Sequence, residues 1–251
     1  MHHFTVITLF PELIEAYRAV GIVRRACESG LVDIAALNPR GFAPDRRSTV
    51  DDAPYGGGPG MVMTVPPLRE AIRAARARHG AHGAHVACLS PQGRRFGQDD
   101  VAGLAEHRHL VLVAGRYEGI DERIIEHDVD SEWSIGDFVV SGGELPALVL
   151  IDAIVRTLPG ALGDAASAAA DSFVDGLLDY PHYTRPEVYE GEAVPAVLLS
   201  GDHAAIARWR RQRQLLRTRA RRPDLLAAAH LSASDLLLLE QAREEEDAAG
   251  D

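Results

Sequence analysis

Apolar residues in this chain come in short blocks, and the spacing within the blocks changes along it. Residues 4–9 are apolar and β-prone, as are 32–37, 86–89 and 110–114, each short enough for a strand covered on both faces. Phe138, Val139 and Val140 predict one further short strand. Residues 11–28 read as a single helix with Pro11 in its first turn. Residues 67–78 read as an arginine- and alanine-rich helix, and 145–158 as an apolar helix ending before Pro159-Gly160. A long loop is expected over 38–60. Strands alternating with helices in this way imply an α/β fold built on a mainly parallel sheet.

The pattern changes at Gly163. Residues 163–170 carry small side chains with little to bury and read as a flexible linker. Beyond them, 176–199 predicts turns and short extended pieces, followed by helices over 204–220 and 224–229. Ser232, with Asp235 three residues later, is close to a capping box and opens a last helix. The acidic stretch 244–251 is expected to fray. The organisation expected is a domain over 1–162, a linker over 163–175 and a small, mostly helical domain over 176–251.

Composition narrows the chemistry. All 26 basic residues are arginine, which excludes a lysine Schiff base and a P-loop lysine. A net charge of −11 argues against general nucleic-acid binding. Yet residues 201–222 hold eight arginines against Asp202 alone, a local basic patch on an acidic body. Ile206 and Trp209 in that stretch are expected to face the core. Cys27 and Cys88 lack metal-type neighbours and read as reduced core thiols of a cytoplasmic protein. No stretch is long and apolar enough to cross a bilayer, and the N-terminus lacks a signal-peptide pattern, so no membrane association is expected.

Three apolar strands run into glycine-containing loops: Leu89-Ser90-Pro91-Gln92-Gly93, Gly115-Arg116-Tyr117-Glu118-Gly119, and Ser134-Ile135-Gly136 continuing through Gly142-Gly143 to Pro146. Together they predict a backbone-lined ligand cleft at the carboxyl edge of the sheet, although Gly-x-Gly-x-x-Gly is absent. Tyr55-Gly56-Gly57-Gly58-Pro59-Gly60 is glycine-rich without a phosphate-loop lysine. His79, His82 and His85 recur every third residue but lack a carboxylate or cysteine at ligand spacing, so a variable surface loop is expected rather than zinc. Residues 171–186 gather carboxylates, a histidine, tyrosines and arginine, types that stack on a splayed base and accept its ring proton.

Taken in order, these motifs resemble the bacterial tRNA (guanine-N1-)-methyltransferases, the TrmD family of the SPOUT class. The resemblance runs nearly the full length, from Leu9-Phe10-Pro11 through Asp45-Arg46, Thr49-Val50-Asp51-Asp52, the glycine-rich loops and Asp171-Ser172-Phe173 to Leu198-Leu199-Ser200-Gly201. It implies a sheet whose C-terminal part is threaded as a deep trefoil knot, and a homodimer whose active sites are shared between subunits. It implies S-adenosylmethionine held by Leu89, Ser90, Pro91, Gly115, Tyr117, Glu118, Gly119, Ser134, Ile135, Gly136, Phe138, Val140, Gly142, Gly143 and Pro146. The reaction implied is methylation of N1 of the guanine 3′ of the anticodon, position 37 of tRNA. Asp171 matches the family's general base and Arg156 the residue that stabilises charge at O6. Asp52, Tyr55, Asp179, His182, Arg185, Arg208 and Arg217 are the positions assigned to tRNA, the partner. Family members use magnesium, for which Glu118, Asp171 and Asp179 are candidates without a fixed ligand set. Phe138 replaces a usual tyrosine, Tyr180 a common cysteine, and Arg219-Ala220 a Trp-Leu pair; these put details of cofactor and tRNA contact in question. The alternatives are a SPOUT methyltransferase acting on another RNA and a non-catalytic RNA-binding module.

Overall fold

The most apolar strand sits where burial is greatest. His109–Ala114 (β6) is buried along its whole length, and it lies between His2–Ile7 (β1) and His85–Arg95 (β5). Val32–Leu37 (β2) flanks β1 and Ser131–Ser134 (β7) flanks β5, giving a five-stranded, fully parallel sheet in the order β2-β1-β6-β5-β7. The computed structural model describes residues 1–79, 83–163 and 171–250, with only the backbone described over 245–250.

Alternation along the strands divides the core into two layers. Phe4, Val6, Ile34, Leu110 and Leu112 point to one face, where they meet Ile14, Val23, Val101, Leu104, Leu150, Ile151 and Ile154. Those residues come from helices Pro11–Arg18 (α1), Gly21–Glu28 (α2), Gln98–Ala105 (α4) and Glu144–Val155 (α6). Ile7, Val111, Val113 and Val86 point to the other face, against Leu68, Ala71, Ile72 and Ile124 of Val65–Ala77 (α3) and Glu122–Asp128 (α5). Asp51–Asp52 (β3), inside the segment 38–60 expected to be loop, pairs antiparallel with Val62–Met63 (β4) just beyond it.

Other element assignments also differ from expectation. Residues 11–28 form two helices, because Val20 is extended and Gly21 takes φ +60°, a left-handed turn that halts the first helix. The fifth strand is Ser131–Ser134, not 138–140. Phe138 and Val139 are 54% and 82% exposed and follow a turn in which the Ser134 hydroxyl donates to the Gly136 carbonyl and accepts its N–H. An apolar run placed on the wall of a cleft looks like a buried strand in sequence.

By contacts the chain divides into two compact units, 1–165 and 166–251. The second contains the hairpin Val188–Tyr189 (β8) and Glu192–Ala193 (β9) and the helices His203–Arg221 (α7), Pro223–Ala228 (α8) and Ala233–Gly250 (α9). Leu177, Leu215 and Leu238 make its small core. The Ser232 hydroxyl accepts the Asp235 N–H, and the Asp235 carboxylate accepts the Ser232 N–H, the reciprocal pair that opens α9. The helix continues to Gly250, so the acidic segment expected to fray is helical over 244–250. Residues 164–170 of the expected linker lie outside the described residues. Its far end is tied down: Asp179 N–H donates to the Ser172 hydroxyl, Phe173 N–H to the Leu177 carbonyl, and Leu178 N–H to the Thr218 hydroxyl.

Candidate functional site

The expected strand 86–89 continues to Arg95, and its irregular middle between Leu89 and Arg94 converges with the loops that leave β6 and β7 at the carboxyl edge of the sheet. Around a cleft of about 390 Å3 they bring together Leu89, Ser90, Pro91, Gly115, Tyr117, Glu118, Gly119, Ser134, Ile135, Gly136, Phe138, Val140, Gly142, Gly143 and Pro146. Every position expected to hold the cofactor thus lines one cavity in the first unit. Arg116, Glu122, Glu132 and Trp133 also line it, and the sequence reading did not single out any of them for this role.

Backbone contacts fix the shape of this cleft. Gly143 N–H donates to the Gly115 carbonyl at 2.9 Å, and a Cβ on Gly143 would lie 2.6 Å from the Ala114 Cα. Two loops can therefore approach this closely only with glycine at 143. Tyr117 takes φ 62°, an uncommon conformation for a bulky residue, stored where the loop turns into the cleft. That turn is laced to residues 61–63, which include β4, by three bonds: Glu118 N–H to Met61 O, Met63 N–H to Gly119 O, and Asp121 N–H to Met63 O.

A buried polar network braces the cleft from beneath. Glu144, 1% exposed at the start of α6, accepts the Thr8 hydroxyl at 2.8 Å and Arg116 Nε at 3.1 Å. Arg116 Nη2 lies 2.9 Å from its other carboxylate oxygen, while Nη1 donates to the Ser141 carbonyl at 3.1 Å. The guanidinium also covers the Phe10 ring, 4.3 Å from its centre. Thr8 and Glu144 are 136 positions apart, beyond what spacing reveals. The remaining charge of the cleft is acidic: Glu118, Glu122 and Glu132 line it, and burial, then the Glu122 charge, pushes the Glu132 carboxyl up from its usual value. Burial, then the Asp51 charge, likewise raises the Tyr117 phenol.

The other candidate positions lie apart from this cleft. Arg156 caps the end of α6 and lines a different depression, with Leu13, Val20, Leu145 and Val149 as exposed apolar walls. Asp52 is exposed on β3, and Tyr55 projects fully into solvent from the glycine-rich turn. In the second unit, Asp171 is half-buried at the start of a tight turn, with Val174 N–H reaching its carbonyl. Asp179 accepts Tyr180 N–H on one carboxylate oxygen, and its other oxygen is 2.7 Å from His182 Nε2. Arg217 donates to the Asp179 carbonyl at 3.3 Å.

His182 and Arg185 line a second cavity, of about 450 Å3, together with Tyr180, Tyr183, Trp209 and Arg210. Ile206 and Trp209, expected in the core, are half-buried and form part of this wall, because the unit's small core is already filled by leucines. Arg210 lies over the Tyr180 ring at 4.8 Å. Arg208 turns toward Gln241 at 2.8 Å and does not line the cavity. The arginine-rich helix is also less unpaired than its sequence suggests: Arg211 is bound by Asp235 and Asp175, and Arg222 by Asp224, all from outside the basic stretch.

The histidines spaced every third residue separate. His79 packs on His3 and His109, and His85 stacks on His107, so neither sits in a featureless surface loop. His82 lies outside the described residues. Cys88 is buried and Cys27 half-buried, both free; burial pushes the Cys88 thiol up to about 12. Among the described residues no helix is long and apolar enough to cross a membrane.

A family model described as tRNA (guanine-1)-methyltransferase TrmD matches residues 2–228. Proteins named tRNA (guanine-N(1)-)-methyltransferase are similar over almost their whole length. The one from Marinomonas sp. (strain MWYL1) is 57% identical over 97% of each chain. That from Pseudomonas putida (strain GB-1) is 59% identical over 96% of each, and that from Proteus mirabilis (strain HI4320) 56% over 96% of each.

Proposed function

This chain belongs to the tRNA (guanine-1)-methyltransferase TrmD family, and from that premise we propose that it transfers a methyl group from S-adenosylmethionine to N1 of the guanine at position 37 of tRNA. The observation that carries the reading is the gathering of all the cofactor candidates around one cleft in a chain of this family. The cleft suits the cofactor chemically. Apolar Leu89, Ile135, Val140 and Pro146 offer a surface for an adenine ring, and the loop backbones offer amides and carbonyls to its edge. Glu118, Glu122 and Glu132 complement the cationic sulfonium and amino groups. The bound cofactor supplies an electrophilic methyl group.

The chain's residues then have a nucleophile to prepare. Guanine N1 carries a proton and attacks poorly until it is lost. In this reading Asp171 accepts that proton, and Arg156 stabilises the negative charge that develops at O6. Asp171 is half-buried at the start of its turn. Holding N1 in line with the methyl group supplies much of the remaining acceleration.

The finer features of the family are part of the same proposal. A trefoil knot in the C-terminal part of the sheet is supported by the tight backbone packing of Gly143 on Ala114. A homodimer is supported by the apolar depression around Arg156, where Leu145 and Val149 on α6 and Val20 after α1 stand exposed. A second copy on that face would cover them and complete a shared site. The aromatic and arginine-lined cavity of the second unit, with His182 and Arg185, supports tRNA contact there; Asp52, Tyr55, Asp179, Arg208 and Arg217 are the other positions assigned to tRNA in the same reading. Of the carboxylates named for magnesium, Glu118 lines the cleft and Asp179 is already engaged by His182.

Asp171→Asn tests the assignment. Single-turnover methylation should fall by roughly 10²–10⁴-fold, the usual worth of a general base. S-adenosylmethionine affinity by calorimetry should stay near that of the parent protein. Unchanged turnover would overturn the role of Asp171.

A further inference from the structure

A cluster of histidines lies at the amino end of the sheet, opposite the cleft. In the strand register His3 of β1 stands beside Asp33 of β2 on one side and His109 of β6 on the other. All three side chains meet on the α3 face, where His79, just past the end of α3, stacks on His3 with ring centres 3.7 Å apart. His3 Nδ1 is 3.7 Å and His79 Nε2 3.8 Å from the same Asp33 oxygen, Oδ2. Both nitrogens are buried without a hydrogen-bond partner. The three ligand atoms lie within 4.8 Å of one another.

We propose that His3, Asp33 and His79 form a binding site for one divalent transition-metal ion of the zinc type, distinct from the methyl-transfer cleft. The donor set points to that class. Two imidazoles and one carboxylate are characteristic of zinc and its neighbours, whereas magnesium and calcium prefer all-oxygen sites. Geometry agrees: tetrahedral ligands about 2.1 Å from an ion are about 3.4 Å apart, so each of the two nitrogen–oxygen distances needs to close by only a few tenths of an ångström. Adjacent strands fix His3 and Asp33, while His79 is carried by the helix end and supplies the movement that tips the two rings out of their stack. The His109 ring packs edge-on against His79 at 4.7 Å with its Nε2 3.1 Å from the Thr5 hydroxyl; it walls the site and is not among the residues whose ligand atoms lie within 4.8 Å of one another. The ion would clip the end of α3 to the first two strands, and water would complete its coordination.

The test uses the full chain without a histidine tag, freed of metal by a chelator. Cobalt(II), a spectroscopic stand-in for zinc, is titrated in while visible absorption is read, and zinc is titrated by calorimetry. The expected result is one ion per chain, a d–d band showing nitrogen ligation, and a higher Tm with zinc. Affinity should fall at least tenfold in both His79→Ala and Asp33→Asn, while His85→Ala, outside the cluster, binds like the parent. Circular dichroism of the metal-free variants checks that each is folded, and with magnesium supplied but no zinc, methyl transfer by the parent and by His79→Ala should match. No binding by the parent protein, or equal binding by folded His79→Ala and Asp33→Asn, would overturn the site.

Discussion

Replacing Arg116 by methionine separates the brace under the cleft from the cleft itself. Methionine keeps an apolar stem of similar length and removes the charge together with the guanidinium that covers Phe10. Two unit charges 2.9 Å apart attract by about 6 kcal/mol at an effective dielectric near 20, and desolvation offsets most of that. What remains in the variant is a carboxylate 1% exposed and held only by the Thr8 hydroxyl. Breaking a buried pair in this way costs about 3–5 kcal/mol. Because Arg116 keeps 22% of its side-chain exposure, the lower end, about 3 kcal/mol, is expected. The Ser141 carbonyl also loses its donor, so the wall from Phe138 to Gly142 loosens and S-adenosylmethionine should bind roughly tenfold more weakly, about 1.4 kcal/mol. Urea unfolding in a Trp209→Phe background, where Trp133 is the remaining tryptophan, reads the first unit; calorimetry reads the cofactor. Adding Glu144→Gln removes the stranded charge, so the double variant should be more stable than the sum of the single effects by at least 1 kcal/mol. A loss below about 1 kcal/mol for Arg116→Met, with no coupling to Glu144→Gln, would refute the buried-charge reasoning.

Other residues give sharper single tests. Gly143→Ala places a Cβ 2.6 Å from the Ala114 Cα, and since both sides are backbone, the loop must shift; a stability loss of about 1–3 kcal/mol and weaker cofactor binding are expected, and parental values for both would contradict the close approach. The Asp235 carboxyl is held well below the usual range, first by Arg211 and then by the Ser232 N–H and hydroxyl. Its folded pKa is therefore below its unfolded value near 4, so its contribution is full above that value and is lost as pH falls through the folded one. Trp209 fluorescence in a Trp133→Phe background should show the second unit weakening in acid, with Asp235→Asn destabilised at pH 7 and flatter in its pH response; parallel profiles would count against the pair. Cys88, its thiol raised to about 12, should resist Ellman's reagent at pH 8 until the chain is unfolded, and immediate labelling in native buffer would contradict its burial.

Sequence showed the parts of the fold that local pattern controls. The strand at 110–114 was legible because a strand buried on both faces needs an unbroken apolar run. The edge strand Ser131–Ser134 was not, because Ser-Glu-Trp-Ser pairs with one neighbour and carries no such run. The cleft was legible because its loops bear glycines immediately after strands. Its brace was not, because Thr8, Arg116 and Glu144 meet only once the sheet has formed. The histidine cluster shows the same limit. Spacing drew attention to His79, His82 and His85, whereas strand register brings His79 to His3 and Asp33. Arg211 looked like one cation in a basic face because its acids, Asp175 and Asp235, lie 36 and 24 positions away.

Methyl transfer to guanine N1 at position 37 of tRNA is the activity proposed for this chain. The most direct measurement incubates the protein with labelled S-adenosylmethionine and two tRNA transcripts that differ only there, one with guanosine and one with adenosine. Label on the guanosine transcript alone, recovered as 1-methylguanosine after digestion, is the result predicted. Label on both or on neither, with S-adenosylmethionine still bound, would contradict it.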